Sequence, residues 1–236
     1  MVPRGPWVMA QSWSNLLFAH WPVDAAVLRR LLPSGIPLDT FDDRAWVSIA
    51  SFCVSGLRPR LIPALPGLSQ FPELNVRTYT ALGGKPGVYF FSLDAASALA
   101  VVGARAAYFL PYFRANMHIR IGADGMIEYA SRRTDRRGRP AEFHARYRPV
   151  GPVDYAKPGT LDHWLTERYA LYAVGPTARV YRADIEHPQW PLQPAEADID
   201  VNTIAAAAGI SVPTTPPRLS FASRVDVVVW RPIRVA

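Results

Sequence analysis

Cysteine and lysine are almost missing from this chain of 236 residues: Cys53 is the one cysteine, and Lys85 and Lys157 are the two lysines. A single thiol excludes an intramolecular disulfide framework and any metal site built on several thiolates. Two lysines leave little room for amine chemistry, and the other 24 cations are arginines, which stay protonated and are poor nucleophiles. Long hydrophobic runs are lacking too. The longest, AASALAVVGARAAYFL at 95–110, is interrupted by Arg105 and is too short to cross a bilayer. The opening MVPRGPWVMAQSW has no apolar core of the length a secretory leader needs. A cytoplasmic location and no membrane partner are therefore expected. Also missing are a GxSxG elbow, a Walker or other glycine-rich phosphate loop, an HExxH pair and any internal repeat.

What is there points to a packed protein. Hydrophobic residues make up 50% and charged ones 19%, which excludes general disorder. A chain of this length buries about 70% of its surface on folding, so no staple is needed. The 23 prolines are spread throughout and mark no linker, and one continuous domain over residues 1–236 is expected. The net charge of +7 attracts acidic partners without identifying one.

Most of the chain reads as strands. Residues 45–54, 73–80, 87–93, 141–149 and 219–230 are rich in β-branched and aromatic side chains. Residues 116–122 and 126–133 flank GADG, a strong hairpin turn. Helices are few and short: 25–32 capped by Asp24, about 95–107 capped by Asp94, 160–167, and 203–208 ending at Gly209. The pattern predicts an α+β fold, predominantly antiparallel β, with the sheet closed into a barrel.

The strand FPELNVRTY at 71–79 carries the most chemistry. With a period of two, Glu73, Asn75, Arg77 and Tyr79 share one face. That row is either an ordinary wet face or the lining of a barrel lumen. In a lumen, the carboxylate and guanidinium are expected to hold each other ionised and to orient a small polar ligand. A second row, Tyr129, Ser131 and Arg133, precedes the arginine-rich turn that carries Arg132, Arg136, Arg137 and Arg139. No nucleic-acid reading module accompanies this cluster, so nucleic acid is not the expected partner. Glu142 and His144 share a strand face, but the five histidines are scattered, and no metal or cofactor is expected. Cys53 lies in an apolar strand and reads as a packed small residue.

Five stretches together carry a resemblance: LLFAHWPVDAAVLRRLLPSGIPLDTFDDRAWVSIASF at 16–52, FPELNVRTY at 71–79, GKPGVYFFSLDA at 84–95, TLDHWLTERYALY at 160–172 and IEHPQWPLQPA at 185–195. On them the chain resembles the YqjF-like family of bacterial proteins, more distant relatives of acetoacetate decarboxylase. The resemblance implies a cone-shaped β-barrel with a few short helices around a mostly apolar cavity. In the decarboxylase a cavity lysine forms a Schiff base with the substrate ketone, and a neighbouring cation activates that lysine. The matching segment here reads Leu110-Pro111-Tyr112-Phe113, without an amine. The decarboxylase's N-terminal arginine falls near Ser14, and one of its barrel acids near Ser48, while the other matches Glu73. Lys85 and Lys157 each precede a proline in a turn-like stretch, a poor setting for a substitute.

The expected function is therefore a small-molecule-binding barrel for an organic ligand of acidic character. Glu73 is the candidate catalytic group, and Asn75, Arg77, Tyr79 and Tyr108 are the candidate ligand-binding residues. Tyr108 enters by analogy with the replaced lysine segment. The alternatives are a non-covalent lyase, isomerase or hydrolase acting on a small oxo-acid or hydroxy-acid through Glu73, and an interaction protein with a filled barrel. The motifs at 165–169 and 187–193 are expected to be architectural, and a homo-oligomer is left open.

Overall fold

The computed structural model describes residues 5–64 and 69–236. The first four residues of the stretch read above for a leader lie outside it. The strands are β1 (Met9–Val23), β2 (Ala45–Pro59), β3 (Phe71–Leu82), β4 (Lys85–Ala95), β5 (Tyr112–Ile121), β6 (Ile127–Arg133), β7 (Glu142–Pro149), β8 (Ala170–Val174), β9 (Val180–Glu186), β10 (Leu192–Asn202), β11 (Arg218–Val229) and β12 (Ile233–Arg234). The helices are α1 (Ala25–Leu31), α2 (Ala98–Tyr108), α3 (Leu161–Thr166) and α4 (Ile204–Ala207).

Hydrogen bonds join the strands in the order β12-β9-β8-β4-β3-β2-β1-β11-β10-β7-β6-β5, and two more pairings, β9 with β11 and β4 with β5, close the sheet twice. One ring runs through β4, β3, β2, β1, β11, β9 and β8. The other shares β4, β3, β2, β1 and β11 and returns through β10, β7, β6 and β5. The pairings are antiparallel except β4–β5 and β4–β8, so the barrel is mixed but mainly antiparallel, as expected.

The shared strands are a wall with a core on each side, which is why residues 45–54 and 73–80 are buried on both faces. Alternation sorts their side chains. Phe18, Ala50, Phe52 and Tyr79 face the first core, while Leu17, Ala19, Val47, Ile49, Leu74 and Val76 face the second. The second core is filled by Tyr129, Phe143, Tyr147 and Phe221 among others. Tyr129, Ser131 and Arg133 are buried on that side, so this row is interior and not a basic patch. Arg132, Arg136, Arg137 and Arg139 are exposed, and Arg137 pairs with Asp135.

Local signals place the helices closely. Asp24 Oδ1 accepts from the Ala26 amide at 2.7 Å, capping α1 as expected. Gly122 to Gly125 turn β5 into β6, pairing Ile121 with Ile127. The cap of α2 is a correction. Ser97, not Asp94, accepts from the Ala100 amide, because β4 runs on to Ala95 and pairs it with Glu73. Asp94 is fully buried and held by Arg133, whose Nε and Nη2 reach Oδ1 at 2.9 and 2.7 Å. Among the described residues no helix is long and apolar enough to cross a membrane.

Candidate functional site

The first ring encloses a cavity of about 640 Å³. Its deep wall is aromatic: Trp13 stacks on Trp190 at 6.0 Å between centroids, Phe18 meets Trp190 edge-on at 5.0 Å, and Phe52 leans on Trp13. Its mouth lies between the segment after β2 and α2, where Ile62 and Leu99 line it and are largely exposed. The HPQW motif therefore supplies part of the cavity wall. Trp190 is anchored by its amide donating to Glu167 Oε1 at 3.0 Å, a residue of the 165–169 motif.

The polar row of β3 projects into this space, and the register fixes its depth. Glu73 stands opposite Phe52 and Ala95 nearer the mouth, Asn75 opposite Ala50 and Leu93, and Arg77 opposite Ser48 and Phe90 further in. All three line the cavity and are almost entirely removed from solvent. Tyr108, the last residue of α2, lines it as well. Tyr79 does not belong to the lining. It is one position deeper, fully buried, sharing a hydrogen bond of 3.1 Å with His20 Nδ1 and packed on Trp164. The alternation that put Tyr79 in the row says nothing about depth, and here the phenol packs beyond the cavity.

Glu73 is held by a residue that the sequence reading did not nominate. The Tyr112 hydroxyl donates to Glu73 Oε2 at 2.8 Å, and Tyr129 donates to the Glu73 carbonyl at 2.7 Å. Burial pushes the Glu73 carboxyl up to about 7, with the Tyr112 bond partly opposing it. The expected Glu73–Arg77 ion pair does not form. Four residues along a strand separate their Cα atoms by about 13 Å. Arg77 is felt by His20, Tyr79 and His187, but it is not among the influences on Glu73. Tyr112 stands in the Leu110-Pro111-Tyr112-Phe113 segment that the resemblance singled out.

Arg77 makes no ion pair among the described residues, and its Nε has no hydrogen-bond partner there. Its guanidinium lies 5.0 Å from the Phe18 ring centroid, and burial lowers its affinity for its proton. Around it, His20 is kept neutral by burial first and by Arg77 next. Arg168, the neighbouring cation, is compensated by Asp39 at 2.7 Å. Neither lysine is among the described lining residues: Lys85 pairs with Asp184 at 2.5 Å, and Lys157 is exposed in the segment before α3. Among the described residues no three His, Cys, Asp or Glu side chains are gathered for a metal. Cys53 is buried on the opposite face, its thiol pushed up by burial.

A mixed barrel closed in this way is the acetoacetate decarboxylase-like fold. Two solved structures share the fold. The enduracididine biosynthesis enzyme MppR complexed with pyruvate superposes with a TM-score of 0.66 at 14% identity, over 100% of this chain and 92% of that one. Acetoacetate decarboxylase from Legionella pneumophila does so at 0.69 and 12% identity, over 100% and 92%. Within that class, the chain belongs to the DUF2071 family, described as an uncharacterized conserved protein, whose model matches residues 10–226. It is 48% identical over 233 residues to the uncharacterized protein YqjF of Bacillus subtilis, covering 99% of this chain and 94% of that protein.

Proposed function

We propose that this barrel binds a small organic acid, with Arg77 receiving the carboxylate. The observation that carries this reading is a buried guanidinium with no counter-ion among the described residues, at the inner end of a mostly apolar cavity. A charge in such a place is costly unless it is paired, and a planar donor fork matches a carboxylate. Asn75 adds an amide whose Oδ1 lacks a partner among the described residues. Apolar walls with a few convergent polar groups are the common form of small-ligand sites. MppR, which shares the fold, has been solved with pyruvate, and this likeness supports a small acid as the ligand. No lysine is among the described lining residues, which supports binding without a Schiff base. The protein works in the cytoplasm in this reading, where the unpaired Cys53 stays reduced.

A second reading rests on Glu73. A carboxyl poised near 7 and donated to by Tyr112 is tuned for proton exchange at neutral pH. This supports a non-covalent lyase, isomerase or hydrolase in which Glu73 moves the proton.

The test of the first reading is calorimetric titration with carboxylic acids and their primary amides. Acids are expected to bind and amides to bind at least tenfold more weakly. Arg77→Met should erase that preference. Equal affinity for acid and amide in the parent protein sinks the assignment.

A further inference from the structure

The cavity has two polar poles. The inner one is Arg77, and the outer one is the Glu73–Tyr112 pair; they stand four residues apart on one face of β3. The strand separates their Cα atoms by about 13 Å, and among the described residues no ion pair bridges them. Asn75 lies between them, and the walls over that interval are Phe18, Phe52, Leu93 and Trp190. With no ion pair joining the poles among the described residues, a molecule that touches both must be interposed between them. The volume of about 640 Å³ also falls within the roughly 300–1,000 Å³ typical of sites for drug-sized ligands. It is far more than a two- or three-carbon acid fills.

We infer that the ligand is an elongated acid. Its carboxylate sits on Arg77, its apolar body lies along the aromatic wall, and a polar group at its far end reaches Glu73 and Tyr112. This rests on the reading of Arg77 as the carboxylate site, and it adds the length and two-ended character of the molecule. The ionic state of the outer pole fits a neutral terminus. A carboxyl near 7 both donates and accepts around neutral pH, so a hydroxyl or carbonyl oxygen is matched there, whereas a second carboxylate is not. The largely exposed Ile62 and Leu99 at the mouth offer an apolar approach for such a body.

The experiment is isothermal titration of the intact protein with straight-chain acids in order of length: acetate, butyrate, hexanoate, octanoate and decanoate. The ω-hydroxy acids of the same lengths and the matching primary amides complete the set. Affinity is expected to rise by about fourfold per added methylene, as burial of each group in an apolar cavity predicts, up to the length at which the chain end reaches Glu73. At that length the ω-hydroxy acid should bind better than the plain acid, and Glu73→Ala should remove that difference between the two. If acetate and butyrate bind as tightly as octanoate and still outbind their amides, the elongated ligand is refuted and Arg77 stands as the acid site. If acids and amides bind alike at every length, the reading of Arg77 fails as well. The length series runs on the parent protein, so the outcome does not depend on how any variant folds.

Discussion

The Tyr112 hydroxyl and the Glu73 carboxylate meet at 2.8 Å inside the barrel, joining a strand that precedes α2 to the strand that follows it. The parallel pairing of β4 with β5, which sets Leu93 beside Tyr112, brings β5 to the cavity edge. The segment after α2 thus supplies a neutral donor to the acid.

Tyr112→Phe should raise the Glu73 midpoint above its value of about 7. The Tyr112 bond is the influence that lowers it, opposing burial, and a hydrogen bond to a charged acceptor contributes about 1.5–3 kcal/mol. A rise of about one pH unit or more is expected. Carbon NMR titration of the Glu73 carboxyl reads it directly, and a midpoint that stays put or falls would contradict the bond's role.

Glu73 also makes stability depend on pH. Its carboxyl ionises near 4.5 when unfolded and near 7 when folded. Its contribution is therefore full below 4.5 and is lost as pH rises through 7, to a limit of about 3 kcal/mol. Asp94, raised to about 6 by burial, has the same sign but finishes earlier. Glu73→Gln cannot ionise, so its stability should fall less above pH 6 and exceed the parent's near pH 8. Urea unfolding at several pH values checks this; parallel curves for the two proteins would refute it.

The β3 row was legible because alternation on a strand is strict: Glu73, Asn75 and Arg77 all reach the cavity. Whether the row was wet or enclosed was not legible, since this depends on β8, β9 and β11, which close the ring from distant parts of the chain. The Glu73–Arg77 pair was expected from their shared face, but a common face does not bring i and i+4 together on a strand as it would on a helix. Asp94 read as a cap because Asp before an alanine run is a local signal. Its partner, Arg133, lies 39 residues away, where no local pattern could show it. β1 escaped notice because both its faces are buried beyond Asn15, which erases alternation, and a bulge there shifts the register.

The buried Asp94–Arg133 pair should behave as a unit. Arg133 also lies 4.2 Å from the Phe113 ring centroid and donates to the Arg139 carbonyl, so it pins the turn after β6 to the wall of the cavity. Asp94→Leu leaves the guanidinium buried without a counter-ion and should cost about 3–5 kcal/mol. Asp94→Leu with Arg133→Met together should recover most of that loss. Urea unfolding of the three proteins decides it: a double variant no more stable than the single one would show that the two charges do not act together.

Covalent trapping tests the amine question from the other direction. A Schiff base needs an unprotonated amine within reach of the bound carbonyl, and the protein's two side-chain amines are Lys85 and Lys157. The Lys85 ammonium is committed to Asp184 at 2.5 Å, Lys157 faces solvent, and neither is among the described residues that line the cavity. Borohydride reduction in the presence of acetone or acetoacetate should therefore leave the intact mass unchanged at neutral pH. A stoichiometric adduct at Lys85 or Lys157 would mean that the chain presents an amine to its ligand after all. The non-covalent roles given to Arg77 and Glu73 would then have to be abandoned in favour of that lysine.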